Sequence, residues 1–478
     1  MEQYIPKVEE DLQKKDTLLT KILSKFKNKE DVEQKYEDKF KLPNSLRNEI
    51  LETLLDQRWW ETNENTFQIH LKFLPNILNS QTKKVDLHSF MSLCPEPLRA
   101  AQILNVVPMI ATCAPNIEVL SIGEDSLADF ISQTMKLTRK IIFDISRMTK
   151  LHTLKIKDFV IKFRDLMKIC KNLQNLDYVD ANVAIGSWFL FTEPEWHHRD
   201  FEESFFRLKV FTFRLFSLKG NSYTEKNVED LTHHCIQRLP SLEIVQTLAY
   251  VRRSYPGYSL PRTSPSANSS LTHLCVFLRN PSFEFDQLAW FANVTHLLIN
   301  MYPLETNDPP ITREEIDALL QFNAHLKSLT LFGCPTADIL DRFLDRHGKN
   351  LHTLSICNVR DRDLTYTFKK IFDDCPELET LVLMGVVMTD QESLKSFAQL
   401  KNLQWIELAQ TKTVNLSSVL QAPKLENFYM LDSSPNLEDI KHVSTLISNK
   451  QILSKLKKFR YIAYCGPLMN NPLLRAGE

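Results

Sequence analysis

Glycine is scarce in this sequence. Its 478 residues include nine glycines, and no two of them lie closer than eleven positions apart. That spacing excludes the phosphate-binding Walker A loop, the dinucleotide-binding fingerprint and the G-x-S-x-G nucleophile turn. No histidine is followed by a glutamate, which also excludes the H-E-x-x-H zinc motif. The sequence therefore predicts a protein that is not an enzyme and holds no cofactor.

Paired cysteines, excess charge and long apolar runs are also missing. The nine cysteines are dispersed and the N-terminus is charged, so we expect reduced thiols in a cytoplasmic or nuclear protein. A formal net charge of −1 argues against nucleic-acid or membrane binding. No run approaches about 18 apolar residues, so no transmembrane helix is expected. Adjacent histidines at 197–198 and 233–234 lack the usual ligand spacing, so no metal is expected either.

A short strand pattern is abundant instead. Leu378, Leu381 and Leu383 form L-x-x-L-x-L, whose alternation makes one face of a strand apolar. A capping box from Thr389 to Glu392 then predicts the start of a helix. One strand and one helix cannot bury this apolar face alone, so copies should stack on either side.

The pattern recurs along most of the chain. It appears thirteen times at intervals of 22 to 35 residues, and a weaker copy begins at Val85. The thirteen copies begin at Ile117, Leu151, Leu173, Leu208, Leu242, Leu271, Val294, Leu326, Leu351, Leu378, Leu403, Leu425 and Leu456. A quasi-periodic series of this length predicts a stacked repeat array.

The chain resembles the leucine-rich-repeat family, in its ribonuclease-inhibitor-like and cysteine-containing types. The resemblance covers residues 82–466 and includes Cys170 and Cys375 before the strand and Cys334 just after it. It implies an α/β leucine-rich-repeat solenoid, with a curved parallel sheet inside and helices outside. The three cysteines are then expected to be small apolar core residues.

Two insertions should interrupt the array. Residues 181–207 are rich in aromatics and should fold back on the solenoid, whereas residues 253–270 are rich in proline and serine and should form a loop. Residues 467–478 are predicted to be a C-terminal tail.

The concave side of such a sheet carries the candidate binding residues. Counted from the first leucine, the third, fifth and seventh positions should face that side. In early repeats these positions are polar, at Lys155, Lys157, Asn175 and Asp177. In later repeats they are large and apolar, at Phe277, Phe332, Val382, Met384, Trp405 and Tyr429. Such residues on an open sheet predict a partner-binding surface. The alternatives are a loop or tail that covers them, or a register that differs by one residue.

The N-terminal residues form two predicted segments. Residues 1–40 suggest a charged helical segment, and residues 41–81 a small helical module. The adaptor-docking candidates of that module are Leu42, Pro43, Leu46, Ile50 and Leu51. The module resembles the start of an F-box, which implies docking on a Skp-type adaptor and a cullin. Its end is similar to a VHL-type box, which implies Elongin instead. A plain helical cap on the first repeat is the remaining alternative.

These observations predict a non-catalytic protein-interaction protein. The F-box-like resemblance implies a substrate receptor of a cullin–RING ubiquitin ligase, with an unknown protein substrate on the concave face. The alternative is a leucine-rich-repeat scaffold with no role in ubiquitin transfer.

Overall fold

The structure is a computed structural model that describes a subset of the residues. The described residues are 44–56, 64–123, 135–185, 195–217, 225–247, 269–278, 290–302, 311–320, 325–358, 364–366, 368–388, 397–411, 414–433, 437–449, 452 and 455–462. The predicted capping box at Thr389, the segment 1–40, the tail 467–478 and nearly all of the insertion at 253–270 lie outside them.

The chain divides into two compact units. The first comprises Met1–Leu208 with Leu215–Ser222, and the second comprises Lys209–Arg214 with Tyr223–Glu478. Each unit has its own parallel strands and its own buried apolar residues.

The first unit begins with helices and continues as alternating strands and helices. Its described elements are α1 (Asn44–Asp56), α2 (Glu64–Ile77), β1 (Lys84–Asp86), α3 (His88–Ser92), α4 (Glu96–Cys113), β2 (Val119–Ile122), β3 (Met135–Lys136), α5 (Arg139–Ser146), β4 (Thr153–Lys162), α6 (Phe163–Asn172), β5 (Tyr178–Ile185) and α7 (Glu195–Phe205). Strands β1, β2, β4 and β5 pair in that order, all parallel, and β3 pairs with the second half of β4. Val85 lies level with Leu120, which confirms the predicted early copy.

The second unit repeats the same alternation. Its described strands and helices are β6 (Val210–Ser217, whose first five residues belong here), α8 (Glu225–Arg238), β7 (Ile244–Thr247), β8 (His273–Phe277), β9 (His296–Asn300), α9 (Arg313–Leu320), β10 (Ser328–Phe332), α10 (Ala337–His347), β11 (Thr353–Cys357), β12 (Leu364–Tyr366), α11 (Lys369–Asp374), β13 (Thr380–Met384), β14 (Val386–Met388), β15 (Trp405–Ala409), α12 (Leu416–Val419), β16 (Asn427–Leu431), α13 (Leu437–Ser448) and β17 (Lys458–Ile462). Short 3-10 turns lie at Gly348–Asn350 and Phe397–Gln399.

The strands of the second unit pair in parallel. Strand β6 pairs with β7, and an eight-stranded sheet runs in the order β8, β9, β10, β11, β13, β15, β16, β17. Strands β12 and β14 form a separate two-stranded parallel sheet. Because consecutive strands of the large sheet run parallel, the intervening segment must return the chain to the same end each time. This is the strand-and-return unit that the sequence pattern predicts.

The fourth and sixth positions of the pattern form the core. Leu329, Leu354, Leu381 and Ile406 lie level with one another on successive strands, and all four are fully buried. Complete burial of each such side chain contributes about 1.5–3 kcal/mol. Helices α10 and α11 bury apolar residues of their own, Phe343 among them. The leucine-rich-repeat architecture is therefore confirmed in both units.

One predicted copy is displaced by three residues. The sequence pattern predicted that this copy begins at Leu173, which would place Leu176 level with Leu154 of β4. In the structure Leu154 lies level with Val179 instead. The reason is that helix α6 extends to Asn172, and the backbone N–H of Leu173 still donates to the Ile169 carbonyl. Leu173 therefore ends a helix, and the copy begins at Leu176. Consequently Asn175 and Asp177 precede strand β5, and their predicted place on the strand face is wrong.

An asparagine before the first leucine links successive copies. Its amide Nδ2 donates to a backbone carbonyl in the preceding turn, from Asn116 to Ser80, Asn175 to Thr149 and Asn293 to Ser269, each at 3.0 Å. Asn402 makes a longer bond of this kind to Pro376, at 3.5 Å. These bonds satisfy carbonyl groups at the turn.

Part of the aromatic insertion packs as predicted. Phe201 and Phe205, on helix α7, are buried against Phe163 at the start of helix α6, with ring centroids 6.2 and 5.6 Å from that of Phe163. Phe206 is exposed, and residues 186–194 lie outside the described part of the chain.

Candidate protein-interaction face

The strand residues that alternate with the core define one face of the large sheet. We call the third and fifth positions of β8 to β17 the open face. The third positions are His273, His296, Ser328, Thr353, Thr380, Trp405, Asn427 and Lys458, and the fifth are Cys275, Leu298, Thr330, Ser355, Val382, Glu407, Tyr429 and Arg460. From β8 to β16 these side chains are half-buried, whereas the core positions between them are buried. The alternation confirms the predicted register of these strands.

Two histidines stack at one end of the open face. The rings of His273 and His296 lie 3.9 Å apart at an interplanar angle of 9°. The Thr272 hydroxyl donates to the Glu243 carbonyl at 3.1 Å, and its oxygen lies within hydrogen-bond distance of His273 Nδ1, at 2.8 Å.

Burial keeps this histidine pair neutral. Burial, together with a smaller contribution from the neighbouring His296, lowers the pKa of His273 to about 4. Burial and then the charge of Lys327 lower the pKa of His296. Parallel rings cannot both direct a nitrogen to one ion, and the described residues contain no group of three metal-ligating side chains.

The centre of the open face is lined with hydroxyl groups. Ser328, Thr330, Thr353, Ser355 and Thr380 occupy neighbouring positions on β10, β11 and β13. Small hydroxyl side chains leave room above the sheet, and they can donate to or accept from a partner backbone.

An aromatic and acidic group lies beyond these hydroxyls. The rings of Trp405 and Tyr429 stack, with centroids 4.7 Å apart and planes at 25°. Glu407 lies level with Tyr429 on the next strand and follows Trp405 by two residues on β15. Burial raises the pKa of Glu407, and the neighbouring Trp405 side chain offsets part of that rise. We call Trp405, Glu407 and Tyr429 the aromatic–acidic site.

The seventh positions do not belong to this accessible surface. Phe332 is 6% exposed and Met384 is 2% exposed, and both lie in one apolar cluster with Cys357, Ala409 and Tyr302. Their predicted role as accessible binding residues is corrected to core packing. The side chain of Phe277 lies outside the described part of the structure. Val382, Trp405 and Tyr429 are half-buried on the open face, and their role in partner binding stays a prediction.

Tyr302 covers the cluster of seventh-position residues. Its hydroxyl donates to the Cys357 carbonyl at 3.3 Å, and its ring lies over Gly333. A Cβ at Gly333 would meet that ring at 2.8 Å, and the residue has a φ of +68°. Glycine at this position therefore allows both the backbone conformation and the approach of the ring.

The first unit has a different face at the equivalent positions. Lys157 and Asp180 form an ion pair at 2.5 Å with about a tenth of each side chain exposed, and the Lys155 ammonium lies 5.5 Å from the ring of Tyr178. These charges are satisfied within the unit, so this face offers less to a partner than the aromatic–acidic site.

The adaptor-docking candidates lie on or next to helix α1. Ile50 and Leu51 are 3% and 5% exposed, so they are packed inside the first unit. Leu46 belongs to the helix, but its side chain is not described, and Leu42 and Pro43 lie outside the described residues.

The cysteines predicted to be core residues are buried. Burial raises the pKa of Cys334 and Cys375 to about 12 each and raises that of Cys170 further. Thiols held in this way are poor nucleophiles at neutral pH.

The sequence analysis did not identify Glu407, His273 or His296. The only signal for them was their position in the repeat, because their residue types match no motif.

No described helix is long and apolar enough to cross a membrane.

Comparison with known proteins shows only that the fold is similar to that of solved structures. No protein-family model matches the sequence, and no curated protein matches it. An internalin from Listeria monocytogenes is similar over 66% of this chain and 80% of its own, at 12% identity and a TM-score of 0.29. A leucine-rich-repeat protein from Leptospira interrogans is similar over 82% and 98%, at 15% identity and a TM-score of 0.30. The ectodomain of the Arabidopsis receptor kinase HAESA is similar over 73% and 54%, at 15% identity and a TM-score of 0.31. At these scores the fold assignment rests on the strand register described above.

Proposed function

We propose that this chain is a non-catalytic protein-interaction protein whose partner binds the open face of the second unit. The stacked pair of Trp405 and Tyr429 carries the proposal, because it places two large rings on the open face near its hydroxyl-lined centre. Tryptophan and tyrosine are the residue types that most often anchor protein interfaces. The parallel sheet beneath them is already ordered, so binding there costs little conformational entropy.

Capture by the intact chain tests this function. The wild-type chain, Trp405→Ala and the control His442→Ala, an exposed position on helix α13 outside the open face, would each be used as bait in cell extract, with recovered proteins quantified by mass spectrometry. We expect at least one protein to bind the wild type and His442→Ala equally and to be lost with Trp405→Ala. Recovery of the same proteins at the same levels by all three would contradict the proposal.

A finer candidate is the substrate receptor of a cullin–RING ubiquitin ligase. It is supported by the F-box-like residues Leu42 and Pro43 and by their position just before helix α1. The burial of Ile50 and Leu51 favours the helical-cap alternative at those two positions. In the receptor role the chain works in the cytoplasm or nucleus, where its described free thiols stay reduced.

Adaptor recovery tests this finer candidate. The double variant Leu42→Ala with Pro43→Ala should release a Skp-type adaptor and its cullin while leaving the melting temperature of the chain unchanged. Recovery of Elongin instead would favour the VHL-type alternative. If the intact chain recovers no cullin adaptor, only the scaffold function would remain.

A further inference from the structure

Glu407 is a half-buried carboxylate that forms no ion pair within the described part of the chain. It lies between Val382 and Tyr429 at the same level of neighbouring strands, and the Trp405 side chain, a neutral donor, offsets only part of the rise in its pKa. Removing a carboxylate from water costs free energy that a neutral donor only partly offsets. A structural core residue would have no reason to be charged at this position.

The other charged and titratable groups near Glu407 do not neutralise it. Arg460 lies level with Tyr429 on β17, which is two strands away from Glu407 on β15. Lys458 lies level with Asn427, again two strands away from β15. On the other side, the buried thiol of Cys357 feels the charge, since Glu407 adds to the rise of its pKa.

The stacked rings supply the second half of a cation site. Ring faces carry negative partial charge, so a guanidinium or ammonium group is attracted to them. A carboxylate beside them adds a charge-assisted hydrogen bond, which a guanidinium can form through two nitrogen atoms. Trp405, Glu407 and Tyr429 offer both attractions within one pair of strands.

We propose that the aromatic–acidic site binds an arginine or lysine side chain of a protein partner. The inference rests on the proposed function and adds the chemistry of the partner. The neighbouring hydroxyls of Thr380, Ser355 and Thr353 continue the open face away from the site, so an extended segment can follow its anchoring side chain along the sheet.

Selection from a random peptide library tests this chemistry. A phage-displayed library of random heptapeptides would be selected on the intact wild-type chain and the binders tested on Trp405→Ala, Glu407→Gln and the control His442→Ala, an exposed position on helix α13 outside the open face. We expect binders lost with Trp405→Ala to be enriched in arginine or lysine, to weaken about tenfold with Glu407→Gln, and to be unaffected by His442→Ala. The affinities of peptides with lysine, citrulline or norleucine in place of the enriched arginine then show whether the site recognises the charge of that side chain or its shape.

The outcomes separate the two proposals. Binders that need Trp405 but carry no basic residue would overturn this inference and leave the proposed function intact. An absence of binders that need Trp405 would overturn both. Binding of a basic peptide should also strengthen as pH rises through the pKa of Glu407, and it should lose this dependence in Glu407→Gln. Equal pH dependence in the two proteins would assign the titration to another group and contradict the inference.

Discussion

The indole of Trp405 stacks on the phenol ring of Tyr429 although the two residues are not level in the sheet. Trp405 lies level with Asn427, and Glu407 lies level with Tyr429. The ring contact is therefore a diagonal pair, within reach of aromatic side chains on neighbouring strands. Glu407 lies level with Val382 and Tyr429 beside this pair of rings, and its burial there raises its pKa.

Glu407→Gln should stabilise the free protein. A group whose pKa is raised in the folded state is destabilised as an anion, so replacing it by a neutral amide removes a cost at neutral pH. Because the side chain is partly exposed, we expect a gain of only about 0.5–1 kcal/mol in the free energy of unfolding. Chemical denaturation at pH 7.5 measures it. A loss of stability would show that Glu407 is a structural residue and not a site.

Leu381→Ala should destabilise the second unit by about 2–5 kcal/mol, because it opens a cavity beneath β13. The adjacent Thr380→Ala changes a half-buried side chain on the open face and should alter stability by less than about 0.5 kcal/mol. Denaturant midpoints of the two variants compare them directly. Equal losses would mean that the register of the strand is wrong.

Gly333→Ala should destabilise the second unit by about 2–4 kcal/mol. The added methyl group meets the Tyr302 ring, and the backbone at φ +68° is unfavourable for alanine. The matched control is Thr330→Ala, on strand β10, which ends at Phe332 just before Gly333. Thermal melting of the two variants checks the expectation, and an unchanged midpoint for Gly333→Ala would contradict the placement of Tyr302.

The stacked histidines should make stability depend on pH. His273 has a folded pKa of about 4, below its unfolded value of 6.5, so its contribution is complete above pH 6.5 and is lost as pH falls towards 4. Between pH 7 and pH 4.5 the free energy of unfolding should fall less in His273→Phe than in the wild type. After allowance for partial exposure, we expect the difference to be about 1 kcal/mol. The exposed His442→Phe is the control. Identical pH profiles for wild type and His273→Phe would contradict the account.

The sequence was sufficient for the repeat and for most of its register. Leu329, Leu354, Leu381 and Ile406 could be aligned because buried leucines recur at fixed spacing. The copy near Leu173 was misplaced because Cys170 followed by Leu173 imitates the pattern at the end of a helix. The sequence did carry the correcting signal, since Asn175 precedes Leu176 as Asn116 precedes Ile117 and Asn402 precedes Leu403.

The accessible residues were harder to predict than the core. Alternation places third, fifth and seventh positions on one face, but it cannot show that Tyr302 folds over the seventh. The position of the Tyr302 ring depends on Gly333, the eighth residue of the next copy. No local sequence pattern connects these two residues. Glu407 could not be recognised as a site residue from the sequence, because its surroundings are set by the residues level with it on two other strands.

The most direct test of the central claim is a paired measurement on one sample of Trp405→Ala. A partner recovered by capture would be titrated against the wild type and the variant, and the melting temperature of each would be recorded. We expect Trp405→Ala to bind the partner at least about thirtyfold more weakly, equivalent to about 2 kcal/mol, with a melting temperature within about 4 °C of wild type. Unchanged affinity together with a large fall in melting temperature would show that Trp405 is buried packing and would contradict the claim.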